Sequence, residues 1–332
     1  MSARFRLYII DKVAGKNYLI PDWTRIEWWT DKHAAALRFT IDLDNNTGEY
    51  TWISEGDLAL LHDAEFGEVW RGVVWTPTIA KHAVISGFDH MVYLQNAQVN
   101  HVFERVTASD VHVWAAQQAG IPVGRLANTG VLIKQLICRD MTLYDLMQKS
   151  LRMTHAQTDR RFESQMRQGQ LELIDRLAVN DNVVVIDSEK NLITGQAIHD
   201  VRPAATSVFT HGATLWTHDD ETTPTEAEES RDEGVGVLRR IWHDSEARTD
   251  TRAESISARL DNEWAIRRMP VVLAHGNSGV RSGRRVIVRD KPSAVLASAI
   301  VERTQHTLTD GAYHMLVESR VFTGQDAIRG NG

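Results

Sequence analysis

RGVVWTPTIAKHAVISGFDHMVYLQN, residues 71–96, sets two β-rich runs in succession and follows them at once with an acid, an aromatic and a short apolar helix. Valine, isoleucine, threonine and tryptophan favour strands. Nothing in the stretch is a nucleophile, a metal cage or a phosphate cradle. It reads as the hairpin that ends a β unit, handing the chain to an insert that packs on its outside.

Upstream, RFRLYIID puts Phe5, Leu7 and Ile9 on one side, and LRFTIDLD does the same with Leu37, Phe39, Ile41 and Leu43. A period of two means strands with one buried face. DNNTGE, residues 44–49, is a turn signal, and GDLALLHD and EVWRGVVW continue the alternation. Short strands at this spacing predict an antiparallel sandwich or barrel. The tryptophans Trp28, Trp29, Trp52, Trp70 and Trp75 all fall here. Trp28 and Trp29, adjacent on a strand, face opposite sides. One joins the core. The other either packs under the insert or meets another subunit, since exposed large aromatics mark contact surfaces.

Downstream, TASDVHVWAAQQAG reads as a helix started by Ser109 or Asp110 and stopped by Gly120, with Val111, Trp114, Ala115 and Gln118 on one stripe. DMTLYDLMQKSLRMTH is a second helix, with Leu143, Leu146, Met147 and Leu151 at helical spacing and a Thr142/Asp145 pair resembling a capping box. AQTDRRFES and GQLELID around MRQGQ make a hairpin. Strand character returns in DNVVVIDSEKNLITGQAIHDVRP, ATSVFTHGATLWTHD and GVLRRIWHD. A helix over 250–268 carries Ile256, Leu260, Trp264 and Ile266 inward and closes at Pro270. RRVIVRD, VLASAIVERTQHTL and YHMLVESRVF finish as β structure.

The 332 residues suffice for two or three domains, with 42% hydrophobic and 24% charged residues, as in ordinary globular proteins. The net charge of −7 is matched by the segment 218–234, where eight acids face one arginine. The remainder is near neutral and offers nucleic acid no basic field. The acidic run reads as a solvated, exposed loop. Cys138 is the only cysteine, so no disulfide and no thiolate zinc site can form, and its apolar neighbours make it a small core residue. The N-terminus has no signal-peptide core, and no run approaches the ~20 apolar residues that span a bilayer. The expectation is a chain made in a cytoplasm that does not enter a membrane by itself.

Fourteen histidines include no HExxH and no cysteine partners. The pairs His211/His218 and His306/His314 are weak metal candidates. There is no GxSxG elbow. HGNSGVRSG, residues 275–283, lacks the lysine of a phosphate-binding loop and reads as a tight turn into a strand. Asp219 and Asp220 lie in the acidic run, a poor place for rigid catalytic geometry. No catalytic, cofactor-binding or metal residue is assigned, and no cofactor is expected.

The order of pieces resembles a known family. VWRGVVW, AVISGFDHMVYLQN, TASDVHVWAAQQAGIPVGRLANTG, MTLYDLMQKSL and QGQLELID follow one another as in the hub proteins of phage tail baseplates, the XkdQ-like and late-control-D-like families of contractile tails. Asp89, Tyr93 and Leu94 match that family's strand-to-helix passage, and Gly276, Arg281 and Gly283 its glycine–arginine–glycine turn. The resemblance runs over residues 4–322. The acidic run 218–234 departs from it.

The resemblance implies a β-rich α+β fold, with two tail-tube-like antiparallel β-barrel domains and α+β inserts. The first barrel would be 1–92 and the insert, two helices and a hairpin, 93–180. Returning strands would be 181–217, the acidic loop 218–234, the second barrel 235–326 and a flexible tail 327–332. It also implies a structural, non-enzymatic homotrimer in the virion baseplate, assembled in the host cytoplasm. Three copies give six barrels, which would join a sixfold tail tube protein or tube initiator to a threefold central spike. Baseplate wedge proteins and the tape measure protein are further expected partners, with no membrane insertion and DNA only as passing cargo. Two alternatives stay open: a tail-tip cell-wall hydrolase, and a host receptor- or glycan-binding module using Trp28 or Trp29.

Overall fold

The computed structural model describes residues 4–32, 36–158, 160, 162–175, 183–200, 207–212, 227–230, 239–244, 267–293, 295–309 and 311–321. The first seven strands are β1 (Phe5–Asp11), β2 (Lys16–Ile20), β3 (Trp23–Asp31), β4 (Arg38–Asp44), β5 (Leu58–Asp63), β6 (Gly67–Thr78) and β7 (His82–Phe88). They pair antiparallel in the order β3-β4-β7-β6-β5-β1-β2. The alternation has the consequence its period demands: Phe5, Leu7, Ile9, Phe39, Ile41 and Leu43 are buried together. Phe39 stacks on Trp70 at 4.6 Å between ring centroids. Gly72 and Gly87 admit the Phe39 ring, since a Cβ on either would come within 2.6 Å of it.

After β7 come α1 (Met91–Asn96), β8 (Gln98–Val106), α2 (Ala108–Gln118), β9 (Val123–Leu126), β10 (Ile133–Thr142), α3 (Leu143–Thr158), β11 (Phe162–Arg167) and β12 (Gln170–Asp175). Leu143, Leu146, Met147 and Leu151 turn inward from α3, as their spacing requires. In α2 the buried face is Ala108, Val111, His112, Ala115 and Ala116. Gln118 is exposed, so the stripe drawn through it is off by part of a turn. The antiparallel ribbon of β8 and β10 was not read from the sequence.

That ribbon and its helices form two similar β–α units. Thr107 and Asp110 make a capping box on α2, and at the start of α3 the Thr142 hydroxyl likewise donates to the Asp145 carboxylate and accepts from the Asp145 amide. Two residues before each threonine, the backbone takes positive φ, 54° at Arg105 and 48° at Asp140. At the second of these the Asn100 side chain bonds both the backbone and the carboxylate of Asp140.

The chain then forms β13 (Val184–Asp187), β14 (Leu192–Asp200), β15 (Ser207–Gly212), β16 (Ala227–Ser230), β17 (Arg239–Asp244), β18 (Arg267–His275), β19 (Arg285–Asp290), β20 (Val295–Thr309) and β21 (Ala312–Val321). Two expectations need correction. The acidic run is not loop throughout, since β16 lies within it and pairs with β15; a charged sequence is tolerated on an edge strand. Pro270 does not close a helix, because Arg267 and Arg268 already belong to β18, where Pro270 sits opposite Ala197. The remainder of the expected 250–268 helix, the 327–332 tail, and His218, Asp219 and Asp220 lie outside the described residues.

β20 joins the two ends of the chain. Val295–Ile300 pair with β19, and Arg303–Thr309 pair with β3 along the same side of the strand. A bulge between Val301 and Arg303 marks the change of partner. Thirteen strands thereby form one sheet, ending in β14 at one side and β2 at the other. The fold is β-rich with antiparallel sheets, and among the described residues no sheet closes on itself. Leu308, near the end of β20, is buried in the first core, and Tyr313 packs against it. A second core gathers Val272, Ala274, Val286, Val288, Val301, Met315 and Val317.

Candidate functional site

The loop between β18 and β19 is where first sheet half, insert and second sheet half converge. Ser278 donates to the buried carboxylate of Asp63 at 3.1 Å, and Arg4 grips the same carboxylate through Nε and Nη2 at 3.1 and 3.0 Å. Burial pushes the Asp63 carboxyl up, but the bonds from Arg4, the Glu65 backbone and Ser278 outweigh it and hold it below the usual carboxylate range. Arg281 donates to the Val69 carbonyl, and the Ser282 amide donates to Thr30 Oγ1 at 2.8 Å. Thr30 and Thr304 share a buried hydroxyl contact at 2.7 Å.

Two of the three glycines of the turn are there for space. A Cβ on Gly276 would lie 2.2 Å from the Tyr313 ring, and one on Gly283, whose φ is +80°, would lie 2.0 Å from the Glu163 carboxylate. So Gly276, Arg281 and Gly283 do more than turn the chain: they let one loop touch three parts of the fold.

Asp89, at the passage from β7 to α1, lies beside this loop. Its carboxylate accepts from the Met91 amide at 3.0 Å, and its own amide donates to Leu37. Burial pushes the carboxyl up to about 7, against the pull of backbone bonds from Leu37 and Met91 and of the Arg281 charge. Burial lowers the pKa of Arg281, and Arg167 adds to the effect. A cavity of about 100 Å³ opens here between Thr30, Asp89, Tyr144, Glu163, Arg281 and Ser282. That is room for a few waters.

The tryptophans separate as their positions required. Trp28 is in the core, and Trp29 is half-buried under the Arg38 guanidinium, 5.6 Å from its ring. Trp28 is therefore not available to an external glycan. The most exposed aromatic of residues 71–96 is instead Trp75. It stands at the bulge in β6 between Val74 and Thr76, beside Phe88 at 6.1 Å and the exposed Tyr93 at 6.3 Å. Alternation alone could not find it, because a bulge re-aims the side chain.

Of the histidine pairs, His306 is buried and His314 stacks with His275 at 6.1 Å. Among the described residues, no three His, Cys, Asp or Glu side chains are placed to share an ion. Cys138 is buried and its thiol donates to Val99 O at 3.3 Å.

A family model described as YQBQ-like matches residues 26–319. The phage-like element PBSX protein XkdQ of Bacillus subtilis (strain 168) is 33% identical over 140 residues, which span 42% of this chain and 43% of that relative. The crystal structure of the 43 kDa tail protein of prophage MuSo2 from Shewanella oneidensis superposes with a TM-score of 0.72, over 95% of this chain and 98% of that one, at 14% identity. The c3393 protein of E. coli, a type VI secretion component described as similar to the T4 bacteriophage tail proteins gp27 and gp5, superposes at 0.55, over 91% and 74%, at 10% identity. At such identities the two structures bear on the fold, which is that of phage tail proteins. The YQBQ-like match takes in most of both sheet halves and the whole insert between them, and the chain belongs to the YQBQ-like family.

Proposed function

We propose that this chain is a structural baseplate hub subunit, three copies of which close around a threefold axis and join a sixfold tail tube to a threefold spike. The observation that carries the reading is β20, which holds two β units of one chain in a fixed relation. Three such chains present six β units, the number a sixfold tube needs beneath it. In this reading the units near 1–92 and 235–326 act as the two tube-like barrels, completed in the assembly, and 93–180 is the insert on their outside. β2 and β14 end the sheet without a further strand among the described residues, and edge strands of this kind are normally covered. A neighbouring copy would cover them. The exposed Trp75 and Tyr93 are a second contact face.

The likeness to a type VI component described as similar to T4 gp27 and gp5 supports a spike as the partner on the threefold side. The role is mechanical, without catalysis, and the site of action is the virion tail. Analytical ultracentrifugation over a range of concentrations, alone and with tube and spike proteins, tests it. A trimer is expected in at least one mixture, and a persistent monomer in all of them removes the proposal. Sustained release of fragments from peptidoglycan by the purified protein would replace it with the hydrolase reading.

A further inference from the structure

We propose that one buried water bridges Glu68, Arg71 and His90 beneath the tip of the β11–β12 hairpin. The hairpin turns through Gln168 and Gly169, both at positive φ (50° and 76°), as the commonest two-residue turn demands. Its tip comes down on β6 and on His90. The place a Gly169 Cβ would occupy lies 3.5 Å from Cδ of Arg71 and 3.7 Å from Cε1 of His90. A residue with no side chain therefore stands where these two side chains converge.

Glu68 pairs with Arg71 through Oε2 at 2.8 Å from Nη2. Three atoms are then out of contact with solvent and without a hydrogen-bond partner: Glu68 Oε1, Arg71 Nε and His90 Nδ1. Buried polar atoms in folded proteins are rarely left so. Their chemistry selects what fits. Glu68 Oε1 only accepts, Arg71 Nε only donates, and His90 Nδ1 does either according to its tautomer. An anion would meet the Glu68 carboxylate and leave Oε1 unserved. A cation would meet the Arg71 guanidinium and leave Nε unserved. Burial and the charge of Arg71 both lower the His90 pKa, which favours the neutral ring. A neutral molecule that donates and accepts answers all three atoms, and a water does so with three bonds, the usual number for a buried one. It donates to Glu68 and accepts from Arg71, and its remaining bond to His90 runs in whichever direction the tautomer sets. The insert thus rests on β6 through a wet, polar contact.

The test is a crystal structure of the whole chain at a resolution that shows ordered waters, with a second crystal soaked in bromide. One peak within hydrogen-bond reach of all three atoms, without anomalous signal from bromide, is expected. An anomalous peak there, or direct bonds among the three groups with nothing between them, overturns the proposal. The double variant Glu68→Leu, Arg71→Leu provides the control: the peak should be lost. Its retention would mean that backbone groups hold the water, and would equally overturn the assignment.

Discussion

Trp28 lies flat on His306, with the ring planes 4° apart and the centroids separated by 4.7 Å. One ring comes from β3 and the other from β20, so the stack sits on the seam that joins the two ends of the chain. His306 is polar on both edges and satisfied on both. Its Nε2 donates to the Val280 carbonyl at 2.9 Å, which fixes the tautomer, and its Nδ1 accepts from the Tyr313 hydroxyl at 3.0 Å.

Acid should weaken the fold through the buried imidazoles. Burial pulls His306 down to about 3 and His112 down to about 4. The unfolded chain takes up both protons near pH 6.5, whereas the folded chain refuses them. Stability from this source is therefore complete above that pH and falls as pH drops toward 4, by about 1.4 kcal/mol per unit for each group. Melting temperatures at pH 7.5, 6, 5 and 4 should decline in that order. His306→Gln should flatten the decline, and an unchanged slope would acquit this residue.

Asp89 works in the opposite sense. Its folded pKa of about 7 lies above the ordinary carboxyl value, so its contribution is whole in acid and is lost as pH rises through 7. Asp89→Asn keeps an acceptor for the Met91 amide and removes the ionisation. It should melt higher than the parent at pH 8, with an advantage that shrinks as pH falls and is gone at pH 4. A variant less stable at pH 8 as well as at pH 4 would mean that the carboxylate is needed in its charged form.

Trp28→Ala should cost about 3–5 kcal/mol, as for other buried aromatics cut to alanine. Trp29→Ala, on the outer side under Arg38, should cost about 1 kcal/mol or less. Urea unfolding of the two variants measures the difference. Equal losses would mean that the face carrying Trp29 is itself buried in the folded protein in solution.

Gly283→Ala must both adopt φ +80° and displace the Glu163 carboxylate. Gly15→Ala, at φ +64° with nothing within 4 Å, meets the backbone penalty alone, about 1 kcal/mol. Gly283→Ala should therefore be the more damaging, and thermal melts of the pair decide it. Parity would show that Glu163 moves aside freely.

Trp75→Ser should leave unfolding of the single chain within about 0.5 kcal/mol of the parent, as for surface changes, while reducing association in sedimentation. Undiminished association would remove Trp75 from the contact face.

The strands were legible wherever one face is buried, because Phe5, Leu7, Ile9 and Phe39, Ile41, Leu43 write the pleat directly into the sequence. α3 was legible for the same reason at a different period. The β8–β10 ribbon was not. Val102 and Ile137 face each other across it on the exposed side, and its positive-φ kinks at Arg105 and Asp140 fall on residues that carry no glycine signal. The local clue was the repeated Thr-x-x-Asp, a helix start that implies a strand before it. The junction was visible only as separate pieces. Gly276, Arg281 and Gly283 stood out as a motif, yet the residues this loop meets at Asp63, Val69, Thr30 and Glu163 lie more than a hundred residues away, and no local pattern encodes such pairings.

β20 also fixes how a pull would travel through the molecule. Were the halves tethered by a flexible linker, tension on one would first straighten the tether. Here tension entering at β3 passes to β19 through the continuous backbone of β20, and the two successive ladders along one side of that strand must slide lengthwise before the halves part. Such a joint transmits force stiffly and yields late.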